Sequence, residues 1–325
     1  MTSLAAPTGR AGSRILGMGS YQPETIVSNH DLAQVVETSD EWIRDRVGIA
    51  NRRIAKPDEL LVDMTIAAGA KAIADAGLEP SDIEAVLVAT CTMPSMIPNA
   101  AAQVAYGLGV QAGAAFDVNA ACAGFCYALA TASDLVRAGT AEHVLVIGAE
   151  KLSDWVNPVD RSTAIIFGDG AGAAVVGPSD EPGIGPVAWG SAGDMSEMIQ
   201  VPDRHSFISQ EGQSVFRWAT TQIAPIALRA VELAGIELSE VDVFVPHQAN
   251  LRIIEAIAKR LRAKGAREDL VIARDIVDSG NTSSASIPLA LDHLRTAGEA
   301  RSGDVALLVG FGAGLSYAGQ VVRLP

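Results

Sequence analysis

Aromatic residues make up only 5% of this 325-residue chain, cysteines number three, and basic side chains are outnumbered 24 to 38 by acidic ones. Each shortage excludes something. With so few aromatics, the core has to be assembled from the Ala, Val, Ile and Leu of the 49% apolar fraction, and 31 glycines let backbones approach closely. A layered α/β architecture follows. The formal charge of −14 is repelled by phosphate, which argues against a general nucleic-acid or membrane-surface binder and leaves a soluble enzyme. Cys91, Cys122 and Cys126 form no disulfide framework and have no neighbouring His at zinc-ligand spacing, so a reducing, cytoplasmic setting without a metal is expected. No apolar run reaches the roughly 20 residues a membrane helix needs. MTSLAAPTGRAGS lacks a signal-type apolar stretch, and residues 1 to 12 read as a loose tail.

What is present is alternation. Strand-like runs lie at 85–90, 114–118, 143–149, 171–177, 242–247 and 305–311, and helical stretches at 62–76, 99–108, 122–138, 217–234, 250–263 and 286–297. GDGAGAAVVG at 168–177 echoes GFGAGLSYAGQVV at 310–322, each a Gly-rich turn followed by a small-residue strand. The echo suggests a duplicated chain, with halves at 13–177 and 178–325 and PSDEPGIGP as the link.

Three strand-to-helix turns carry chemistry-bearing side chains. In DVNAACAGF a strand ends, small residues turn, and Cys122 stands where a helix begins; exposed amides there favour thiolate, so a lowered thiol pKa is expected. A cysteine among Ala and Gly is equally an ordinary core residue. His247 follows the apolar run DVFVP, and Asn281 lies in the polar turn DSGNTSSAS, where a helix cap is the plain alternative. FGAG at 311–314 offers unshielded backbone amides. Converging at one sheet edge, these turns would join a thiol, an imidazole, a carboxamide and an oxyanion hole.

DVNAACAGF, VPHQANLRI, SGNTSSASIPLAL and GFGAGLSYAG, in that order, resemble β-ketoacyl-acyl-carrier-protein synthase III. TSDEWIRDRVGI, DRSTAIIFGDGAGAAVV and EGQSVFRW extend the resemblance over almost the whole chain. It implies a thiolase fold, with two βαβ-rich halves in a five-layer αβαβα arrangement, active as a homodimer. It also implies condensation of an acyl-CoA primer with a malonyl-acyl-carrier protein and no cofactor beyond the CoA thioester. Carried over residue by residue, Cys122 is the acylated nucleophile with His247 and Asn281 as partners, and the amides of Cys122 and Gly312 form the oxyanion hole. Trp42 and Arg161 would sandwich the CoA adenine, Arg46 would meet the phosphates, and Gly212 and Asn250 the pantetheine arm. Met96 and Ile97 fall in the loop that bounds the acyl pocket across the dimer, and the stretch 194–210 is short for this family. The basic run LRIIEAIAKRLRAKGAR stands out on an acidic protein whatever the family, and Arg252, Lys259 and Arg260 are candidates for docking an acidic carrier protein.

Rival readings remain at this stage. A starter-unit acyltransferase of the same fold that does not condense would show the same residues. A thiolase or hydroxymethylglutaryl-CoA synthase would show a second catalytic Cys or Glu in place of the HQAN and GNTS motifs, and a non-catalytic partner subunit would lack Cys122.

Overall fold

The computed structural model describes residues 9–111 and 113–325. Residues 1–8 of the expected tail lie outside these. From Arg10 the chain is held, its amide donating to Arg137 O at 2.7 Å, and Gly12 already belongs to a strand, so the tail does not extend to residue 12.

Ten strands form two five-stranded sheets. The first takes β1 (Gly12–Tyr21), β2 (Ala85–Ala89), β3 (Ala114–Val118), β4 (Val144–Lys151) and β5 (Asp169–Ser179), in the order β1-β5-β4-β2-β3. The second takes β6 (Ala188–Ser191), β7 (Val243–Pro246), β8 (Val271–Ile272), β9 (Val305–Gly312) and β10 (Ser316–Arg323), in the order β6-β10-β9-β7-β8. The two orders are the same. In both, the three strands at one end run parallel and the two at the other run antiparallel.

β2 and β4 are buried along their whole length, as strands covered on both faces must be, and their sequences AVLVA and VLVIGAEK are near-continuous apolar runs. Helix α1 (Asp40–Val47) carries Trp42 and Arg46, and helices α2 (Leu61–Asp75) and α3 (Ala100–Leu108) cover the outer face of the first sheet. α4 (Gly124–Arg137) and α7 (Ser286–Thr296) lie between the sheets, and α5 (Gly212–Ala234) and α6 (Leu251–Ala263) cover the second sheet from outside. The result is a five-layer αβαβα stack with three apolar clusters, one around each helical layer, the inner cluster reaching both sheets.

The expected strands and helices are all present, with ends moved by one or two residues except for α5, which begins at Gly212 rather than 217. β1, β6 and β8 are not among the expected strands. All three are edge strands; the Gly- and Ser-rich sequences of β1 and β6, GSRILGMGSY and AWGS, lack a clear apolar alternation, and β8 is only two residues long. Where parallel strands end, the chain turns into helices, and those turns gather at one cavity.

Candidate active site

A cavity of about 1320 Å³ receives Cys122 from the first half and His247, Asn281 and Phe311 from the second. Cys122 is presented by an elbow. After β3, Asn119 Oδ1 accepts the Ala121 amide at 3.4 Å, Ala121 takes the left-handed φ of +43°, and a short 3-10 turn, Ala121–Ala123, leads into α4. That conformation costs a non-glycine residue about 1–2 kcal/mol, so the surrounding packing must hold it. β9 comes in close on the other side. A Cβ at Gly312 would lie 2.6 Å from Cys122 Cβ and 2.8 Å from its Sγ, so only glycine allows this approach.

The Cys122 thiol does not behave as the sequence led us to expect. Burial is the largest influence and pushes it up from 9.0 to about 11, the nearby charge of Glu150 adding to the rise. The Ser283 hydroxyl and the backbone amides of Cys122 and Ala313 pull it down without prevailing. The resting sulfur therefore holds its proton at neutral pH. The second amide that reaches the sulfur is that of Ala313, one residue beyond Gly312. Gly312 supplies clearance, and its backbone stays in the ladder opposite Ser316.

His247 follows β7 and is only 2% exposed. Its Nδ1 lies 2.7 Å from Ser286 Oγ, and its ring stands edge-on to Phe311, with centroids 5.3 Å apart. Ser286 Oγ accepts the Gln248 amide at 3.3 Å and can give its own proton to His247 Nδ1; in that tautomer the ring proton is on Nε2. Burial depresses this imidazole to about 3, so it stays neutral at physiological pH. Asn281 opens a second elbow. Its Oδ1 accepts the Ser283 amide at 2.8 Å, which fixes the carboxamide and frees Nδ2 as a donor. Among the described residues neither Asn281 Nδ2 nor His247 Nε2 has a hydrogen-bond partner, and neither is sealed from the cavity.

Toward the mouth, the Arg161 guanidinium stands 4.9 Å and that of Arg46 5.4 Å from the Trp42 ring centroid. A flat ring between Trp42 and Arg161 needs roughly 7 Å, twice a normal contact distance, so the guanidinium has to withdraw before anything stacks there. Gly212 and Asn250 also line the cavity. Asn250 is the N-cap of α6, accepting the Arg252 amide at 2.8 Å and donating to Arg46 O at 3.2 Å, so its side chain is already occupied. Met96 lies on the cavity wall, whereas Ile97 is 86% exposed and off it. Arg252 reaches the mouth and lies over Phe216; Lys259 and Arg260 sit exposed further along α6. The 194–210 stretch folds into a short turn and a two-stranded hairpin, whose Gln200 and Ile208 contribute to the rim.

Four residues that sequence reasoning passed over stand at the site. Ser283 and Cys91 line the cavity, Ser286 holds His247, and Glu150 lies fully buried behind them. A signal for Glu150 was present: an acid near the end of the apolar run VLVIGAEK has to find donors inside. Cys126 is in the core, where burial pushes its thiol to about 12. Among the described residues no group of three or more His, Cys, Asp or Glu side chains is arranged to hold a metal ion.

Duplicated sheets and a thiol sharing one cavity with an imidazole and a carboxamide define a thiolase-fold acyltransferase. The family described as 3-oxoacyl-[acyl-carrier-protein (ACP)] synthase III matches residues 116–193, and its C-terminal part matches residues 231–324. Beta-ketoacyl-[acyl-carrier-protein] synthase III 4 of Streptomyces coelicolor is 54% identical over 97% of this chain and 99% of its own. The crystal structure of the priming beta-ketosynthase from the R1128 polyketide biosynthetic pathway superposes with a TM-score of 0.95 at 45% identity, covering 100% of this chain and 99% of that one. 3-Oxoacyl-[acyl-carrier-protein] synthase III from Aquifex aeolicus gives 0.90 at 38% identity over 96% and 100% of the two chains. The chain belongs to the β-ketoacyl-acyl-carrier-protein synthase III family.

Proposed function

We propose that this protein starts fatty-acid or polyketide chains by joining an acyl group from acyl-CoA to a malonyl unit on acyl-carrier protein, with loss of CO2. The observation that carries the reading is the single cavity in which the Cys122 sulfur meets the free donors of His247 and Asn281. In the first half-reaction Cys122 attacks the thioester carbonyl, its proton goes to the departing CoA sulfur, and the amides of Cys122 and Ala313 receive the developing oxyanion. In the second, malonyl-carrier protein loses CO2 and the enolate oxygen takes hydrogen bonds from His247 Nε2 and Asn281 Nδ2. The carbon then attacks the acyl-Cys122 carbonyl, releasing the product and the Cys122 thiolate, which takes a proton from solvent to close the cycle. A neutral imidazole suits this step, because it donates a hydrogen bond without giving up a full proton. The relatives named beta-ketoacyl-[acyl-carrier-protein] synthase III favour condensation over acyl transfer alone.

Trp42, Arg161 and Arg46 bind the nucleotide end of CoA, with Gly212 and Asn250 along its arm and Met96 and Ile97 bounding the acyl group. Arg252, Lys259 and Arg260 dock the carrier protein. The reaction needs no cofactor beyond the CoA thioester. The unpaired edge of β3, with Phe116 exposed and tied through Asn99 to the loop bearing exposed Met96 and Ile97, supports a homodimer joined along that edge. Residues 13–177 and 178–325 are read as the two halves, one per sheet. Three free cysteines support a cytoplasmic setting, and among the described residues no helix is long and apolar enough to cross a membrane. The test is turnover of isobutyryl-CoA with malonyl-acyl-carrier protein. β-Ketoacyl-carrier protein and CO2 in equal amounts are expected; no CO2 from malonyl-acyl-carrier protein, with isobutyryl-carrier protein formed when the free-thiol carrier protein is supplied instead, would make this a transferase that does not condense.

A further inference from the structure

Glu150 is 0% exposed, at the end of β4, and its carboxylate is met by donors from two distant segments, Ser284 Oγ sharing its one proton with Ala89 O at 2.7 Å. Oε1 accepts from Ser283 Oγ at 3.0 Å, Ser284 Oγ at 2.9 Å and Cys91 Sγ at 3.4 Å. Oε2 accepts from Thr92 Oγ1 at 2.6 Å, the Cys91 amide at 3.1 Å and Thr90 Oγ1 at 3.2 Å. Two residues earlier on the same strand face, a Cβ at Gly148 would lie 2.3 Å from Ser284 O, so the missing side chain is what lets the second elbow sit against β4 within reach of Glu150.

We propose that Glu150 is a positioning residue of this site, whose carboxylate holds Ser283 in the turn that aims the Asn281 carboxamide into the cavity. Ser283 is a non-glycine residue at a φ of +49°, a conformation it abandons unless something holds it. Its hydroxyl bond to a charged acceptor is strong enough to do so. With that turn held, the Ser283 amide points at Asn281 Oδ1 and leaves Nδ2 toward the substrate. Released, the carboxamide can turn over and present an acceptor where the enolate needs a donor. The carboxylate touches no reacting atom itself and acts through Ser283. The inference rests on the condensing role argued above.

Two rates separate it from a merely structural part: acylation of Cys122 by isobutyryl-CoA, read by intact mass, and decarboxylation of malonyl-acyl-carrier protein. In Glu150→Ala, decarboxylation falls by about thirtyfold or more, the loss of one aimed donor. Acylation is unchanged or faster, because the charge that helps to hold the proton on Cys122 has gone. Adding Ser283→Gly to Glu150→Ala restores decarboxylation by about tenfold, since glycine takes the left-handed turn without an anchor. Glu150→Gln keeps the shape and one acceptor, falls between wild type and Glu150→Ala, and carries the same comparison if the alanine variant does not fold. The proposal is overturned if both rates fall together, if glycine restores nothing, or if decarboxylation survives in a folded Glu150→Ala. A wild type that neither acylates nor decarboxylates defeats the functional reading first, and this inference with it.

Discussion

Asn119–Gly124 and Asn281–Ser286 hold matching places in the two sheets, each between a sheet-edge strand and an inner helix, α4 or α7. In both, an asparagine Oδ1 accepts the amide two residues on, at 3.4 Å in the first and 2.8 Å in the second, and that residue has a positive φ, +43° for Ala121 and +49° for Ser283. In both, a central strand approaches through a glycine, Gly310 against Ala123 and Gly148 against Ser284. Two residues further along those strands the halves diverge. Gly312 stands clear of the Cys122 sulfur and leaves it open to the cavity, while Glu150 grips Ser283 and Ser284. One backbone device thus serves twice. It presents a reacting atom in one half and holds a binding group still in the other.

The largest effect that can break this comparison is at the paired positions Cys122 and Ser284. Cys122→Ala should lower condensation by about 10⁴-fold or more, the scale of losing a nucleophile. Moving the thiol to the other elbow, as Cys122→Ala with Ser284→Cys, should not bring activity back. Ser284 Oγ turns to Ala89 O at 2.7 Å and to Glu150, away from the cavity. Measurable turnover in that double variant would show that the elbows are interchangeable, contrary to this account.

Next come the donors of the second half. His247→Ala and Asn281→Ala should each reduce decarboxylation by about 10²- to 10³-fold while acylation of Cys122 stays within about tenfold. Equal losses in both half-reactions would remove the division of labour between the halves. Gly312→Ala tests the first half from the other side. Its φ is extended, so strain is not the issue, but the new methyl would press on Cys122 Cβ and Sγ, and acylation should fall by about tenfold or more while the fold persists.

The smallest effect is in the pH response. His247 is neutral when folded down to about 3 and titrates near 6.5 when unfolded, so between these values the unfolded chain binds the extra proton. Stability should therefore be complete above about 6.5 and decline as pH falls toward 3, and the slope should be shallower in His247→Asn. An unchanged slope in urea titrations at pH 4 and 7 would show that His247 is not buried in the unprotonated form.

Much of this was legible in the sequence because it is local. Cys122 and His247 each stand at a strand end followed by a helix and Asn281 in a polar turn before one, a pattern that periodicity and turn residues display directly. What stayed hidden depends on contacts between distant segments. The Glu150 carboxylate draws its donors from residues 90–92 and 283–284, and no window of sequence joins them. The thiol was misjudged for the same reason. A helix start can be read from the chain, but the depth of burial that outweighs it, and the charge behind it, come only with the packed fold. The amide that lowers the Cys122 thiol from β9's end is that of Ala313, one residue beyond Gly312 in FGAG, where β9 turns into β10.

The central claim is that the first elbow offers one sulfur to the cavity and that this sulfur takes the acyl group. Peptide mapping after incubation with isobutyryl-CoA alone tests it most directly. One acyl group per chain, on the peptide containing Cys122 and absent from Cys122→Ala, is the expected result. No adduct, or an adduct on Cys91 that survives Cys122→Ala, would contradict it.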